Sequence, residues 1–210
     1  MKAIIEHFSE LRIIPFATIE DPEKAVPLAQ ALLAGGSDIV SVSFQSPTAA
    51  ESIQAIASTF PEMYVGAGSV TGVEEVSQAH IAGARFALAP GFDPIVVDAA
   101  FAAGLPIVPG MMTPSNLSRS LLQGCKIQNF FPATVLGPDM LKAILDAFRH
   151  KGVKIVATGG IDVENISDWL AIPDVIACGA SWICPEELIA AEAWDEITAR
   201  MQETLAKIHS

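Results

Sequence analysis

The residues with chemistry to offer are mostly hydroxyls and amides. In the stretch SVSFQ, Ser41, Ser43 and Gln45 recur at every second position, and Ile127, Asn129 and Phe131 do the same in IQNFF. Alternation by two places each trio on one face of a strand. Ser69, Thr113, Thr134 and Thr158 end or follow other apolar runs. Such groups hydrogen-bond a ligand's oxygens, but a hydroxyl becomes a nucleophile only beside a base. The 4 histidines, His7, His80, His150 and His209, fall in helical stretches or at the terminus, away from the run ends. Lys126, Lys154, Arg12 and Arg85 stand at the starts of runs. Glu20, Asp21, Asp93, Asp139 and Asp162 fall on loops or where helices begin, where carboxylates cap or complement the dipole. They do not assemble into a zinc or magnesium site, so no metal is expected.

One positive feature stands apart. The segments TGGI (158–161) and GAS (179–181) end the last two apolar runs. Glycine lets backbone N–H groups come close to a ligand, but it also serves tight turns, and the pattern fits both.

These residues need a scaffold that gathers run ends at one place. Eight apolar runs, at 11–19, 38–44, 63–70, 85–90, 106–111, 126–133, 153–161 and 174–182, alternate with helical patterns. Strand and helix in alternation mean parallel strands joined by crossovers. Proline follows a capping or turn residue at Pro22, Pro47, Pro94, Pro114, Pro138 and Pro185, as expected for first helical positions. Gly36, Gly83, Gly104, Gly124 and Gly152 are placed to close helices in the left-handed conformation. A further helix, about 2–10, precedes the first strand. The sequence predicts an α/β fold over 1–210, a single (β/α)8 TIM barrel with an extra N-terminal helix. Its site lies at the C-terminal strand ends, with the last two loops as the anion position.

Composition sets the limits. Of the 210 residues 51% are hydrophobic and 17% charged, which suits strands buried on both faces. The net charge of -12, from 12 Lys+Arg against 24 Asp+Glu, disfavours nucleic acid and anionic membrane as partners. Cys125, Cys178 and Cys184 are odd in number and lack a CxxC, so buried thiols are expected in place of disulfides or zinc. The opening MKAIIEHFSE carries Glu6, His7 and Glu10 where a signal peptide would be apolar. No stretch reaches the length of an apolar membrane span. A cytoplasmic protein is the expectation.

Taken in order, AVPLAQALLAGG (25–36), VGAGSV (65–70), APG (89–91), PGMMTPSN (109–116), FFPAT (130–134), TGGI (158–161) and GASWICP (179–185) carry a resemblance. Nearly the whole chain resembles the bacterial aldolases of 2-keto-3-deoxy-6-phosphogluconate (KDPG) and 4-hydroxy-2-oxoglutarate (KHG). The resemblance implies a homotrimeric class I aldolase that cleaves a phosphorylated 2-keto-3-deoxy acid through a lysine Schiff base, with no cofactor. It also implies which positions matter. The family's lysine precedes Phe-Phe-Pro, where this chain has Asn129. Its acid/base glutamate aligns with Ser41, the arginine ending the second strand with Gln45, the acidic residue after Phe-Phe-Pro-Ala with Thr134, and the threonine of Gly-Ala-Gly-Thr with Ser69. The phosphate segments are kept in Gly159, Gly160 and Ser181, with Ala180 replacing a glycine. An amide forms no iminium, so the implied chemistry is lost while a small phosphorylated acid or sugar acid remains the implied ligand. Two alternatives stand beside the aldolase reading: a non-catalytic barrel that binds a phosphorylated metabolite, and an enzyme of another class on the same scaffold.

Overall fold

The computed structural model describes residues 2–209. Helix α1 (Lys2–Leu11) comes first, followed by β1 (Ile13–Ala17), α2 (Ala25–Ala34), β2 (Ile39–Ser43), α3 (Ala49–Thr59), β3 (Tyr64–Gly68) and α4 (Val73–Ile81). The middle of the chain gives β4 (Phe86–Leu88), α5 (Pro94–Ala103), β5 (Ile107–Val108), β6 (Gly110–Met111) and α6 (Pro114–Leu122). Then come β7 (Ile127–Phe130), α7 (Ala133–Leu136), α8 (Pro138–Phe148), β8 (Lys154–Ala157), α9 (Ile166–Leu170), β9 (Val175–Ala180), α10 (Glu186–Ala190) and α11 (Trp194–Ile208).

Every strand pairing is parallel, and the order runs β5-β4-β3-β2-β1-β9-β8-β7-β6. The two outermost segments are consecutive in the chain, so the sheet closes on itself as a (β/α)8 barrel with α1 as the extra helix. The fifth run, expected as one strand over 106–111, is split at Pro109. Proline has no N–H for the ladder. Its carbonyl still accepts from Asn129 N at 2.8 Å, and Gly110 N donates to Gly91 O at 3.0 Å. The closing strand thus pairs β4 through its first half and β7 through its second.

The alternation of side chains makes two cores. Val40, Val42, Val65 and Ala67 face the helices, where Leu28 and Ile53 meet them. Ile14, Ile39, Leu88, Ile127 and Val156 fill the barrel, and Ile4 and Phe8 of α1 close its lower end. Phe8 meets Phe86 edge-on with centroids 5.1 Å apart. Space inside is fully taken: a methyl on Gly66 would sit 2.2 Å from the Phe86 ring.

The punctuation was mostly as expected. Gly36, Gly83, Gly104, Gly124 and Gly152 all have positive φ. Pro47 does not open α3, which begins at Ala49, because the Ser46 and Thr48 hydroxyls both donate to Ile19 O and hold the preceding turn. Pro185 likewise precedes α10 and is not its first residue. Cations gather at the lower end: Arg12 donates to Leu170 O at 2.8 Å, Lys154 pairs with Asp174 at 3.3 Å, and Arg85 lies over the Tyr64 ring. No described helix is long and apolar enough to cross a membrane.

Candidate functional site

A cavity of about 500 Å³ opens at the C-terminal ends of the strands. Its size suits a small metabolite. Two polar clusters face each other across it.

The first belongs to β2 and the turn after β3. Ser43 Oγ lies 3.3 Å from Gln45 Oε1 and 3.1 Å from Ser69 Oγ, and its single proton serves one of them at a time. Ser69 reaches this place with a φ of 57°, an uncommon conformation for a side-chain-bearing residue. Gln45 is exposed at the rim.

The second cluster belongs to β7 and β8. Thr158 Oγ1 donates to Asn129 Oδ1 at 2.6 Å, and Asn129 Nδ2 donates to Ala89 O at 2.9 Å. Only the nitrogen can face a carbonyl, so the two bonds fix which way the amide points. Asn129 is 4% exposed, and what it shows is directed into the cavity.

Phe16 forms the floor. Its ring lies between β3 and β9, where methyls on Gly68 and Gly179 would come within 3.2 and 2.8 Å of it. Ser41 shares the inward face with Ser43 but sits one layer lower, beside Gly68, and is fully buried. Its Oγ has no hydrogen-bond partner among the described residues. The structure therefore keeps Ser41 out of the cavity, while Gln45, Ser69, Asn129 and Thr158 line it, with Ser43 within hydrogen-bond reach of the first two.

Gly159 lines one wall, and Gly160 follows it in the same turn. Gly159 and Gly160 have φ of 99° and 77°. Gly159 O accepts from Thr134 N at 3.0 Å and Thr134 Oγ1 at 3.1 Å, and Gly160 O from Asn165 Nδ2 at 3.3 Å. The N–H groups of both glycines have no acceptor among the described residues. Thr134 braces this turn from behind and does not line the cavity. Its Oγ1 is 1.9 Å from where a methyl on Gly160 would be. Ser181 is exposed beside Gly159, whereas the Ala180 side chain is buried in the outer core and offers only backbone. Thr113, also at a strand end, caps α6 through Asn116 N at 3.2 Å and lies outside the cavity.

One charge enters that the sequence reading did not place. Glu75 lines the cavity and was not foreseen there. Its carboxylate accepts from Thr71 N, from Gly72 N at 3.1 Å and from Thr71 Oγ1 at 3.2 Å. The usable signal was a Glu three residues after a helix cap on a strand-end loop, which reaches back to the cap N–H. Lys24 ends the short helical turn Pro22–Lys24 that follows β1. It borders a separate recess with Glu20 and Asp21, where its Nζ donates to Ala190 O at 2.7 Å. The cavity lining itself contains no Lys or Arg. The helix after β9 adds nothing for an anion: α10 has five residues and opens with Glu186 and Glu187.

No group of three or more metal-ligating side chains is found among the described residues. The cysteines are all buried and unpaired. Burial pushes the Cys184 thiol up to about 12. Cys178 is raised by burial, with Arg12 pulling the other way. Burial raises Cys125, with the nearby Ser120 pulling the other way and Asp98 adding to the rise. Thiols so held are poor nucleophiles at neutral pH.

The aldolase family described as KDPG and KHG aldolase matches residues 4–200. The 2-dehydro-3-deoxy-phosphogluconate aldolase of Treponema pallidum is 41% identical over 205 residues, 98% of this chain and 97% of its own. A crystal structure of KDPG aldolase from Legionella pneumophila, with pyruvate captured as a covalent carbinolamine, superposes with a TM-score of 0.91 at 36% identity, covering 95% of this chain and 97% of its own. The Zymomonas mobilis enzyme with 3-phosphoglycerate gives a TM-score of 0.86 at 32% identity, over 96% and 95%.

The raised thiols carry a pH consequence. Unfolded thiols ionise near the ordinary 9.0, while the native ones stay protonated. The native state then binds more protons, so this stabilisation is complete below that pH and is lost above it. Each thiol contributes a fall of about 1.4 kcal/mol per pH unit. Urea unfolding followed upward from about pH 8 should show stability dropping once pH passes about 9, with a shallower drop in Cys184→Ala. Equal slopes for the two proteins would contradict the buried-thiol account.

Proposed function

The chain belongs to the KDPG and KHG aldolase family, and from that premise we propose that it keeps a small-molecule site at the barrel mouth without the family's class I Schiff-base cleavage. Its ligand is a small phosphorylated acid or sugar, and it acts as a binding protein, a pseudoenzyme of the lyase family. The single observation that carries this reading is Asn129. By the family resemblance it stands where the nucleophilic lysine belongs. Its amide is held at both ends, by Ala89 O and Thr158 Oγ1. An amide nitrogen adds to no ketone, and no lysine lines the cavity to replace it. The aligned positions agree: Ser41 is fully buried and lines no part of the cavity, and Gln45 supplies no charge to clamp a carboxylate.

The phosphate end is assigned to Gly159, Gly160 and Ser181, with the backbone at Ala180. Backbone N–H groups bind an anion without a cationic side chain. The three free thiols fit a reducing, cytoplasmic setting.

Three outcomes are expected. Borohydride reduction in the presence of pyruvate leaves the intact mass unchanged, and Asn129→Lys alone restores little cleavage. A stoichiometric adduct on one lysine of the wild-type chain would overturn the reading. Phosphate at about ten times its Kd should stabilise the fold by roughly 1.4 kcal/mol. At about 2–4 °C per kcal/mol that is a measurable rise in Tm over chloride at equal ionic strength. Ser181→Asp, which sets a carboxylate against the anion, should abolish the rise; an unchanged rise places the anion elsewhere. Finally, we propose a homotrimer, supported by the large apolar side chains that α4, α5 and α6 leave exposed at Ile81, Ile95 and Leu122. Sedimentation should give a species near three times the 22.1 kDa chain mass, and a monomer alone would refute it.

A further inference from the structure

Resting on the mouth-site reading above, we infer that the ligand is a phosphate ester whose other end is uncharged, a hydroxyl or carbonyl group in place of a carboxylate. The polar lining apart from the glycine turn and the rim carboxylate of Glu75 is made of neutral groups. Ser69 and Thr158 are hydroxyls, and Gln45 and Asn129 are amides. Each both donates and accepts, as does a ligand hydroxyl, whereas a carboxylate only accepts and is held well by cations or several converging N–H groups. Asn129 Nδ2 gives one of its two protons to Ala89 O and keeps the other for an oxygen in the cavity. Its Oδ1 takes the Thr158 proton and has a second lone pair to accept a ligand hydroxyl.

Electrostatics argue in the same direction. Glu75 is the charged side chain of the lining, and its three backbone and hydroxyl donors keep the carboxylate at the rim. A second carboxylate brought in with a phosphate would meet a like charge and no counter-charge. Lys24 is tied to Ala190 O in another recess, and Arg12 and Lys154 are engaged at the opposite end of the barrel. The walls add to the penalty. Phe16, Phe44, Leu88 and Phe131 exclude water from around the bound molecule, and an unpaired charge is costly there. The phosphate escapes this penalty through the N–H groups of Gly159 and Gly160, which the distal end cannot reach while the phosphate occupies them.

The test compares two esters of the same length that share a phosphate and differ at the far end. Glycerol 3-phosphate ends in a hydroxyl, and 3-phosphoglycerate ends in a carboxylate. Calorimetric titration of the full chain with each, and with inorganic phosphate, gives the three affinities. Glycerol 3-phosphate should bind at least about tenfold tighter than 3-phosphoglycerate, the scale of one missing charge-assisted contact. It should also bind tighter than inorganic phosphate. Gln45→Arg adds a cation at the exposed rim and should bring the two esters level or reverse their order. Glu75→Gln should strengthen 3-phosphoglycerate more than glycerol 3-phosphate, since only the former brings a second anion to the rim. Equal or tighter binding of 3-phosphoglycerate by the wild-type chain overturns the inference and leaves the phosphate site standing. Inorganic phosphate binding as tightly as glycerol 3-phosphate also overturns it, since the distal end would then go unread. Failure of all three ligands to bind removes the mouth-site reading itself, and the inference with it.

Discussion

The interior of a closed barrel is a fixed volume, and Phe16 takes the part of it directly beneath the mouth. Eight parallel strands leave room for a few layers of inward side chains and no more. Phe8 and Phe86 fill the lower layers, which is why Gly66 carries no side chain beside the Phe86 ring. Phe16 fills the next, flanked by Gly68 and Gly179. Ser41, in register with Phe16 on the next strand, is fully buried outside the cavity, whereas Ser69, Asn129 and Thr158 line it beside the ring. A residue's place relative to that ring matters more to this site than the residue's chemical type.

Above the floor, the polar groups hold one another. Asn129 is fixed by a backbone carbonyl on one side and by Thr158 on the other, and Thr158 ends the strand that leads into the glycine turn. Thr134 grips the same turn from the opposite side through Gly159 O. The amide at the cavity centre and the N–H groups at its wall are therefore parts of one braced unit. A site so held needs little reordering when a ligand arrives, and preorganisation of this kind favours binding.

Much of this was legible in the sequence. Alternating runs and glycines at helix ends gave the barrel, because parallel strands buried on both faces must be apolar and left-handed caps favour glycine. The alternation in SVSFQ and IQNFF also gave the correct inward faces. Depth was not legible. A period of two tells which face Ser41 occupies but not that its position along the strand leaves it buried outside the cavity. Thr134 and Thr113 were misleading for a related reason. Both follow strand ends, yet their hydroxyls turn to backbone and side-chain partners outside the cavity. Glu75 was hidden because it belongs to a helix start, where a carboxylate is ordinarily a cap. Here the cap and the cavity rim are the same place.

The barrel form itself does not explain the neutral lining. Barrel strands end in side chains of any kind, and the loops that follow tolerate charge well, as Glu20, Asp21, Glu186 and Glu187 do around the neighbouring recesses. Acidic groups are abundant on this chain, and cations are present on the same end at Lys24. The main cavity nevertheless meets them with hydroxyls, amides and phenyl rings, and with one carboxylate bound to a helix start. Hydroxyls and amides recognise direction and shape but supply little charge to a reacting centre. Such a lining distinguishes one small ligand from another by matching donors and acceptors. On the reading proposed above, it offers little to stabilise a carbanion or to shuttle a proton at neutral pH. It suits selection, on a scaffold whose relatives are named for cleavage.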